Sequence, residues 1–211
     1  MYEFLPLFPL SLVVFPGENL RLHIFEPRYK QLIQECAAEN SSFGIPTVLD
    51  RKVGNIATEV ELVSVDKTYA NGEMDITTRG VRRAGVKKYY EKAPERLYPG
   101  GEINWLNEDA RTDISLQEKV MELILQLHEA LGITRPIAQH PAEIRAFSVG
   151  HHLGMTLDQE YDLLKLESEI GRLSYIRRHL KTVLPVVRET ERLKARAKLN
   201  GHYKNVLPPK F

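Results

Sequence analysis

The stretch FPGENLRLHIFEPRYKQLI, residues 15–33, carries the signals from which the fold can be predicted. Leu20, Leu22 and Ile24 alternate with polar residues, which is the period-two pattern of a half-buried strand. Pro27 then stands where a first helical turn would open, since its fixed φ suits that position and its missing N–H is not needed there. The apolar residues that follow have the spacing of one helix face: Tyr29, Leu32, Ile33 and Cys36. The stretch therefore predicts a strand that passes directly into a helix.

Strand-like segments separated by turn residues fill the rest of the first hundred positions. Asn71-Gly72 lies between two of them and is the dipeptide best suited to a tight hairpin turn. We count about six short strands in this part, a number typical of a small antiparallel barrel or sandwich.

Helical patterns replace the strand patterns after Asp113. Ser115 and Glu118 form a capping box, Thr156 and Gln159 form another, and a long last helix begins near Ser168. The sequence thus predicts an α+β protein. Its expected parts are a β barrel subdomain with one inserted helix over 1–110, a helical subdomain over 111–200, and a C-terminal tail over 201–211.

Composition indicates a globular protein without a membrane partner. Hydrophobic residues make up 43% of the chain and charged residues 27%, both ordinary values. No apolar run reaches the roughly 18 residues of a membrane span, and the N-terminus lacks the basic start of a secretory signal. The single cysteine, Cys36, fits a reducing compartment. We expect a cytoplasmic location.

Charge is distributed unevenly along the chain. From Arg172 to Phe211 there are 11 Lys and Arg residues and two glutamates, whereas the first 171 residues have 18 basic and 26 acidic residues. One interpretation is a solvated basic helix face that complements an acidic body. The other is an anionic partner for the C-terminal segment, nucleic acid included.

Sequence motifs that carry chemistry are absent. The chain contains no GxxxxGK[ST] or GxGxxG phosphate loop, no CxxC pair, no HExxH motif and no GxSxG turn. His151 and His152 are adjacent, and neighbouring helical residues point about 100° apart, so they cannot chelate one ion from the same face. Cys36 lies on an apolar helix face, where burial is expected. We therefore expect no catalytic residue, cofactor or metal, and no enzymatic activity.

Two longer motifs resemble a known family. The strand Leu5–Leu10, the turn Val13–Gly17 and the junction Ile24–Tyr29 are similar to the start of the substrate-binding domain of Lon proteases, and closer still to its stand-alone relatives. In these chains an L-P-L-F-P-L strand leads to a V-x-F-P-G turn and then to I-F-E-P-R-Y. A second block, from Val53 on, resembles the V-G-T-x-A strand, the hairpin and the G-x-x-R turn, here Gly80–Arg83.

The resemblance implies a PUA-like pseudobarrel followed by a helical bundle, and a role in capturing unfolded or tagged polypeptides. Full Lon proteases add an ATPase module and a peptidase module with a Ser-Lys dyad, and this chain shows the motifs of neither. We therefore expect an ATP-independent protein-binding module of protein quality control, with a separate ATP-dependent protease as a candidate partner.

The junction allows a structural and a functional interpretation. In the first, Glu26 accepts hydrogen bonds from N–H groups at the helix start. In the second, the junction borders the surface that binds the client polypeptide. For Phe25 and Arg28 both interpretations remain open. Exposed apolar patches mark such surfaces, and core burial is the alternative for each candidate. The candidate protein-binding residues are Leu12, Phe15, Phe25, Arg28, Tyr29 and Trp105.

Nucleic-acid binding is the alternative function. It would use the PUA-like architecture and the basic C-terminal helix. The acid excess of the β part and the lack of aromatics interleaved with Lys and Arg argue against it, so we do not expect a nucleic-acid partner.

Overall fold

A computed structural model describes residues 2–134 and 137–202. The strands are β1 Glu3–Pro6, β2 Asn19–Ile24, β3 Phe43–Leu49, β4 Lys52–Thr68, β5 Met74–Tyr90 and β6 Gly100–Trp105. The α-helices are α1 Pro27–Glu39, α2 Ile114–Leu131, α3 Ala146–Val149, α4 Leu157–Lys165 and α5 Glu169–His202. Short 3-10 helices cover Pro141–Glu143 and Gly150–His152. The α+β class is confirmed, with six strands followed by helices and a long last helix. From residue 203 on, the predicted tail lies outside the described residues.

The six strands form one antiparallel sheet. The order is β1-β6-β5-β4-β3, and β2 pairs with the N-terminal part of β5, residues 74–79. The residues after β1 pair with β3, the strand at the other end of this order, through two parallel bridges, Leu7 to Gly44 and Leu10 to Thr47. Phe8 donates its N–H to the Gly44 carbonyl at 2.8 Å. The two ends of the sheet therefore meet at these bridges. β4 and β5 are 17 residues each, longer than the short strands that the sequence suggested.

The strand-to-helix junction is where the sequence placed it. β2 ends at Ile24 and α1 begins at Pro27, with Glu26 as its N-cap. The capping prediction for the Glu26 side chain is wrong, because it makes no cap hydrogen bond. Its Oε2 instead accepts from Arg28, at 2.9 Å from Nε and 2.8 Å from Nη2. A guanidinium two residues away offers a charge-assisted, two-pronged partner and outcompetes the backbone N–H groups.

The inner face of α1 belongs to the larger core cluster. Tyr29, Leu32, Ile33 and Cys36 pack with apolar residues of the sheet such as Val60. Burial raises the pKa of the Cys36 thiol, so this side chain is a core residue and not a reactive thiol. The helix ends at Asn40, whose left-handed backbone (φ 50°) lets its N–H reach the Cys36 carbonyl.

Asn71 and Gly72 form the β4–β5 turn, as predicted. The loop is longer than a two-residue turn, because the last paired backbone groups are Tyr69 N–H and Glu73 C=O at 2.8 Å. Gly72 has φ 76°, a conformation that favours glycine.

The described chain divides into two compact units. Unit 1 is Met1–Ala110 with Phe147–Ser168, and unit 2 is Arg111–Ala146 with Glu169–Phe211. The sequence had placed 147–168 in the helical subdomain. In the structure this segment clusters with the sheet. Three side chains hold it there: Phe15 and Arg83 from the two family-like blocks, and Tyr161 from α4.

Phe15 packs the turn after β1 against the segment that begins at Phe147. It is fully buried, its ring stacks on Phe147 at 5.1 Å, and it lies 4.5 Å from the His151 ring. A Cβ added at Gly150 would lie 2.6 Å from the Phe15 ring, and one at Gly80 would lie 2.4 Å from the Phe15 carbonyl oxygen. Both glycines are therefore needed for the close approach of the Phe-Pro-Gly turn.

Arg83, the last residue of the G-x-x-R turn, is a fully buried cation. Its Nη1 donates to the carbonyls of Leu164 at 2.6 Å and Leu166 at 2.9 Å, and its Nε pairs with Glu108. These carbonyls lie at the C-terminal end of α4, where the last carbonyls of a helix generally need partners from outside it. The guanidinium thus satisfies the helix end and opposes its negative dipole.

Tyr161 attaches α4 to the V-G-N-I-A strand. Its hydroxyl accepts from the Ile56 N–H at 3.0 Å and donates to Asn55 Oδ1 at 2.8 Å. A Cβ at Gly54 would lie 2.5 Å from that hydroxyl. The glycine of this motif leaves the space that the tyrosine occupies.

In unit 2, α2 packs against α5. α2 begins two residues earlier than the Ser115 capping box predicts, because the Asp113 side chain accepts from the Leu116 N–H at 3.2 Å and is the N-cap. A carboxylate is favoured there by the positive end of the helix dipole. Gly132 ends the helix at φ 68°. The second predicted box, Thr156 with Gln159, is present at the start of α4 in unit 1.

Two features are absent from the described part of the chain. None of its helices is long and apolar enough to cross a membrane. No group of three or more His, Cys, Asp or Glu side chains in it could hold a metal ion.

His151 links the turn after β1 to α4 through two carboxylates. Its Nε2 lies 3.0 Å from Glu18 Oε2 and its Nδ1 lies 2.8 Å from Glu160 Oε1. Burial opposes the charge on His151, but the hydrogen bonds to both carboxylates outweigh it and raise the pKa to about 9. Burial likewise raises the pKa of Glu18, and the hydrogen bonds from His151 and from the Phe15 N–H outweigh it, so this pKa is lowered.

Replacing Arg83 should destabilise the protein strongly. In Arg83→Met the apolar stem is kept, but the hydrogen bonds to the Leu164 and Leu166 carbonyls and the ion pair with Glu108 are lost. We expect a loss of about 3–5 kcal/mol in the free energy of unfolding. Arg79→Met, on the exposed side of the same strand, should change it by less than about 0.5 kcal/mol. Urea unfolding of both variants checks this, and equal small losses would contradict the role of Arg83.

Stability should fall as the pH rises past neutrality. The folded-state pKa of His151, about 9, lies above its unfolded value of about 6.5. Its contribution is therefore complete below about pH 6.5 and lost between about pH 6.5 and 9. We expect wild type to lose on the order of 1–2 kcal/mol more than His151→Gln over this window, since partial exposure screens the pairs. Urea unfolding at pH 6.5 and pH 9 measures it. Parallel losses in the two proteins would show that His151 is neutral in the fold.

Candidate functional site

The six sequence-predicted binding residues do not come together in one patch. Phe15 and Tyr29 are buried core residues and present no side-chain surface to a client. Leu12 is half-buried against the larger core cluster. Phe25 and Arg28 are exposed at the strand-to-helix junction. Trp105 is half-buried at the end of β6. A binding role for the four residues with surface stays a prediction.

At the junction, Phe25 is 59% exposed and belongs to a polar neighbourhood. Its ring stacks on His23 at 6.2 Å. The neighbouring guanidinium of Arg28 lies 4.5 Å from the centre of the Tyr29 ring and pairs with Glu26. The junction therefore offers one exposed aromatic ring and an already neutralised cation.

His23 and Asp75 form a pair beside this ring. His23 Nδ1 lies 2.6 Å from Asp75 Oδ1, and Tyr69 donates to the other oxygen of Asp75 at 2.7 Å. The hydrogen bond to Asp75, followed by the nearby carboxylate charges, raises the pKa of His23. A general base needs a nucleophile within reach, yet no hydroxyl or thiol of a described Ser, Thr or Cys contacts His23. The pair lies on the surface and has no catalytic geometry.

Trp105 lines a second, concave surface, which we call the β1 groove. It has a volume of about 640 Å³ and lies beside β1, the end of α1 and the loop 93–98. Its apolar lining consists of Phe4, Pro6, Ala93, Pro94, Tyr98 and Trp105. Its charged residues are Glu3, Glu39, Glu59, Glu95, Arg82 and Arg96. Apolar side chains combined with a small number of polar groups are the usual lining of a ligand site.

Two of the three aromatic residues that line the β1 groove, Trp105 and Phe4, are held in different ways. Trp105 is fixed on both sides, because its Nε1 donates to Glu3 and the Arg82 guanidinium lies 3.4 Å from the ring centre. Phe4 is 47% exposed, and its ring covers Gly100, where a Cβ would lie 2.3 Å away. The groove therefore has one rigid and one accessible aromatic wall.

The cations of the β1 groove already have carboxylate partners. Arg82 pairs with the buried Glu59, and Arg96 pairs with Glu35 at 2.9 Å. In contrast, Glu39 and Glu95 are exposed and have no ion-pair partner among residues 2–134 and 137–202. The uncompensated charge of the groove is therefore negative.

Tyr98 and Glu35 stiffen the wall of the groove. The Tyr98 hydroxyl donates to Glu35 Oε2. Burial, together with this hydrogen bond, raises the pKa of Tyr98 to about 12. Burial raises the pKa of Glu35, but the hydrogen bonds from Tyr98 and Gln31 and the charge of Arg96 outweigh it, so the pKa is lowered. Near neutral pH the wall thus keeps a protonated phenol next to a carboxylate.

Sequence reasoning found only Trp105 among the residues of the β1 groove. Phe4 carried a usable signal, since it alternates with the buried Leu5 in β1 and so had to point outward. Glu39 and Glu95 carried none, because surface glutamates are common and these two are far apart in the chain. Only the fold brings them to one groove.

Comparison with known proteins identifies the family. Residues 4–182 match the model of the ATP-dependent protease La (LON) substrate-binding domain. A Lon N-terminal domain protein from Xanthomonas campestris is 27% identical, with a TM-score of 0.61 over 82% of this chain and 95% of that one. The N-terminal domain of a Mycobacterium avium complex Lon protease shares the fold at 18% identity, with a TM-score of 0.66 over 85% and 98%. No curated protein sequence matches significantly.

The family match covers both blocks that the sequence analysis singled out. Lon substrate-binding domains bind protein substrates and are non-catalytic. The match also includes the groove residues Phe4, Glu39, Glu95 and Trp105. The chain belongs to the Lon substrate-binding domain family.

Proposed function

We propose that this protein is a non-enzymatic module that binds exposed apolar segments of unfolded or tagged polypeptides. Membership of a family whose domains bind protein substrates supports a polypeptide partner. We further propose that the protein works in protein quality control and binds its clients without using ATP. A separate ATP-dependent protease is a candidate partner. A cytoplasmic setting is also part of it, supported by a single, buried cysteine.

The observation that carries the proposal is the β1 groove. It combines two aromatic walls, Phe4 and Trp105, with two prolines and a charged rim. A groove of about 640 Å³ is large enough for a few side chains of an extended segment. The aromatic walls can contact apolar side chains of many sequences, which suits a module with varied clients.

The strand-to-helix junction is the second location for the same function. Phe25 is more exposed than Phe4, but Arg28 beside it is already paired and the neighbouring His23 and Asp75 form a polar surface. Desolvating these charges would oppose the docking of an apolar segment. The β1 groove is therefore our first choice and the junction the second.

Nucleic-acid binding by α5 is the alternative function. Arg192 and Lys194 of α5 pair with Glu189 and Glu191 at 3.5 and 2.7 Å, so two of the basic side chains are partly neutralised within the helix. The acid excess before residue 172 also repels phosphate backbones. Both facts favour the polypeptide partner.

Phe4→Asp should weaken the binding of an unfolded client at least tenfold, because it places a charge on the accessible wall of the β1 groove. Phe25→Asp is the matched control, since it makes the same change at an exposed phenylalanine of the junction. We expect it to leave affinity within about twofold. Titration of a fluorescently labelled, reduced and alkylated protein measures both, with circular dichroism as the folding control.

The reverse result, loss of binding in Phe25→Asp alone, would move the site to the junction. A third variant that replaces Arg192, Lys194 and Arg196 with Gln should leave client affinity nearly unchanged at physiological salt, because exposed charges are screened within about 8 Å. Binding that depends on these three residues and falls steeply with added salt would favour the nucleic-acid alternative.

The purified protein should hydrolyse neither ATP nor unfolded casein. The reason is that the chain contains no phosphate loop and the geometry around His23 lacks a nucleophile. Phosphate release and release of acid-soluble peptides measure the two reactions. Turnover that follows the protein peak through a second purification would contradict the non-enzymatic role, and the His23→Gln variant would then test whether the His23–Asp75 pair is responsible.

A further inference from the structure

We propose that the β1 groove takes an extended apolar segment that carries a lysine or arginine, and that this segment pairs with the free edge of β1 at Phe4. The inference rests on the proposed function, because it specifies which polypeptides the groove accepts and how they lie in it. Three observations support it: the direction of the backbone at Phe4, the state of the charges, and the place of Glu39 on its helix.

The backbone of β1 changes partners along its length. Leu7 donates its N–H to Pro99 on the β6 side at 2.9 Å, and Phe8 donates to Gly44 on the β3 side at 2.8 Å. Since backbone groups alternate in direction along a strand, Phe4 also directs its N–H and C=O toward the β3 side. The β3 strand does not extend that far, because its first residue is Phe43.

The gap next to Phe4 is the β1 groove itself. Ser41 and Ser42, which precede β3, line its far side, and no described backbone group bonds Phe4 across it. An unpaired strand edge is a template for an added strand, and an extended peptide that pairs with such an edge is a common mode of recognition. The edge thus gives the segment its extended conformation.

The outer edge of β4 offers a contrast. Beyond Val60 no described strand pairs with that side of β4, and Val63 and Val65 are exposed there. However, register shifts interrupt β4 at Leu62/Ser64 and at Val65/Lys67, and the charged residues Glu61, Asp66 and Lys67 flank the valines. Bulges and charges are the usual protection of an edge against added strands. The edge at Phe4 has no register shift and opens into the β1 groove, although β1 itself carries Glu3 and Pro6.

The charges of the groove select the side chain that the segment carries. Arg82 and Arg96 are paired with Glu59 and Glu35, whereas Glu39 and Glu95 are exposed without an ion-pair partner among the described residues. A lysine or arginine of the segment would neutralise this surplus, and an acidic side chain would add to it.

Glu39 is also poorly placed for stability. It is the last residue of α1, where the negative end of the helix dipole disfavours a carboxylate. Glu95 also lines the groove, in the loop 93–98. A cation of the segment that pairs with Glu39 would relieve the unfavourable position of this carboxylate.

The test uses a labelled 12-residue peptide in which Val and Thr alternate around one central guest position, with Gly-Ser flanks. We expect the Lys guest to bind wild type about three- to tenfold more tightly than the Gln guest, and the Glu guest more weakly than Gln. In the double variant Glu39→Gln with Glu95→Gln the three guests should bind alike. The matched control, Glu61→Gln with Glu129→Gln, makes the same charge change at exposed sites outside the groove and should keep the preference.

Strand pairing is tested with the Lys-guest peptide methylated on alternate backbone nitrogens. Methylation of one set of positions should weaken binding about tenfold and methylation of the other set should not, because only one edge of an added strand faces β1. Equal effects of the two sets would overturn the strand geometry. Equal binding of the Lys and Glu guests to wild type would overturn the charge selection while leaving the proposed function intact. Failure of every guest, with the labelled unfolded protein also unbound, would instead reject the proposed function.

Discussion

The buried guanidinium of Arg83 is the interaction on which the arrangement of unit 1 depends. A charge without solvent is costly unless each donor has a partner, and the partners of Arg83 come from two distant parts of the chain. They are Glu108 and the Asn107 carbonyl just after β6, and the carbonyls at the end of α4. Because those carbonyls in turn need a donor, the sheet and α4 satisfy each other. Phe15 and Tyr161 add apolar and hydroxyl contacts to the same segment, 147–168.

This dependence explains why these motif residues act as scaffold, and it agrees with the proposal that the binding surface is the β1 groove. Gly54, Gly80 and Arg83 of the second block, and Phe15 of the first, are all occupied in joining the sheet to 147–168. Phe15 and Arg83 are fully buried, and the two glycines are covered by other residues, so none of the four offers a surface to a client polypeptide. The β1 groove instead uses residues between and beyond the motifs, such as Phe4, Glu39 and Glu95. Variation of such residues can change the client without disturbing the fold.

Local patterns in the sequence predicted those parts of the structure that local forces determine. The junction at Ile24 and Pro27, the Asn71-Gly72 turn and the Thr156 capping box follow from backbone preferences within a few residues. Prediction was wrong where distant groups compete. Arg28 takes the carboxylate that was expected to cap α1, and Phe147 and Gly150 bury the ring of Phe15 that was a candidate for the surface. The clustering of 147–168 with the sheet also depends on distant contacts, because a helical period does not reveal which surface covers the helix.

The charge distribution of the sequence has a local counterpart in the groove. The acid excess before residue 172 could be a uniform solvated surface, and most of its carboxylates are exposed. In the β1 groove, however, the cations are bound to the carboxylates that are partly or fully buried, Glu59 and Glu35, and the exposed Glu39 and Glu95 are left over. Buried carboxylates need a cation more than exposed ones do, because water cannot compensate their charge. The surplus of negative charge is therefore carried by the exposed Glu39 and Glu95, with which the basic side chain of the proposed segment would pair.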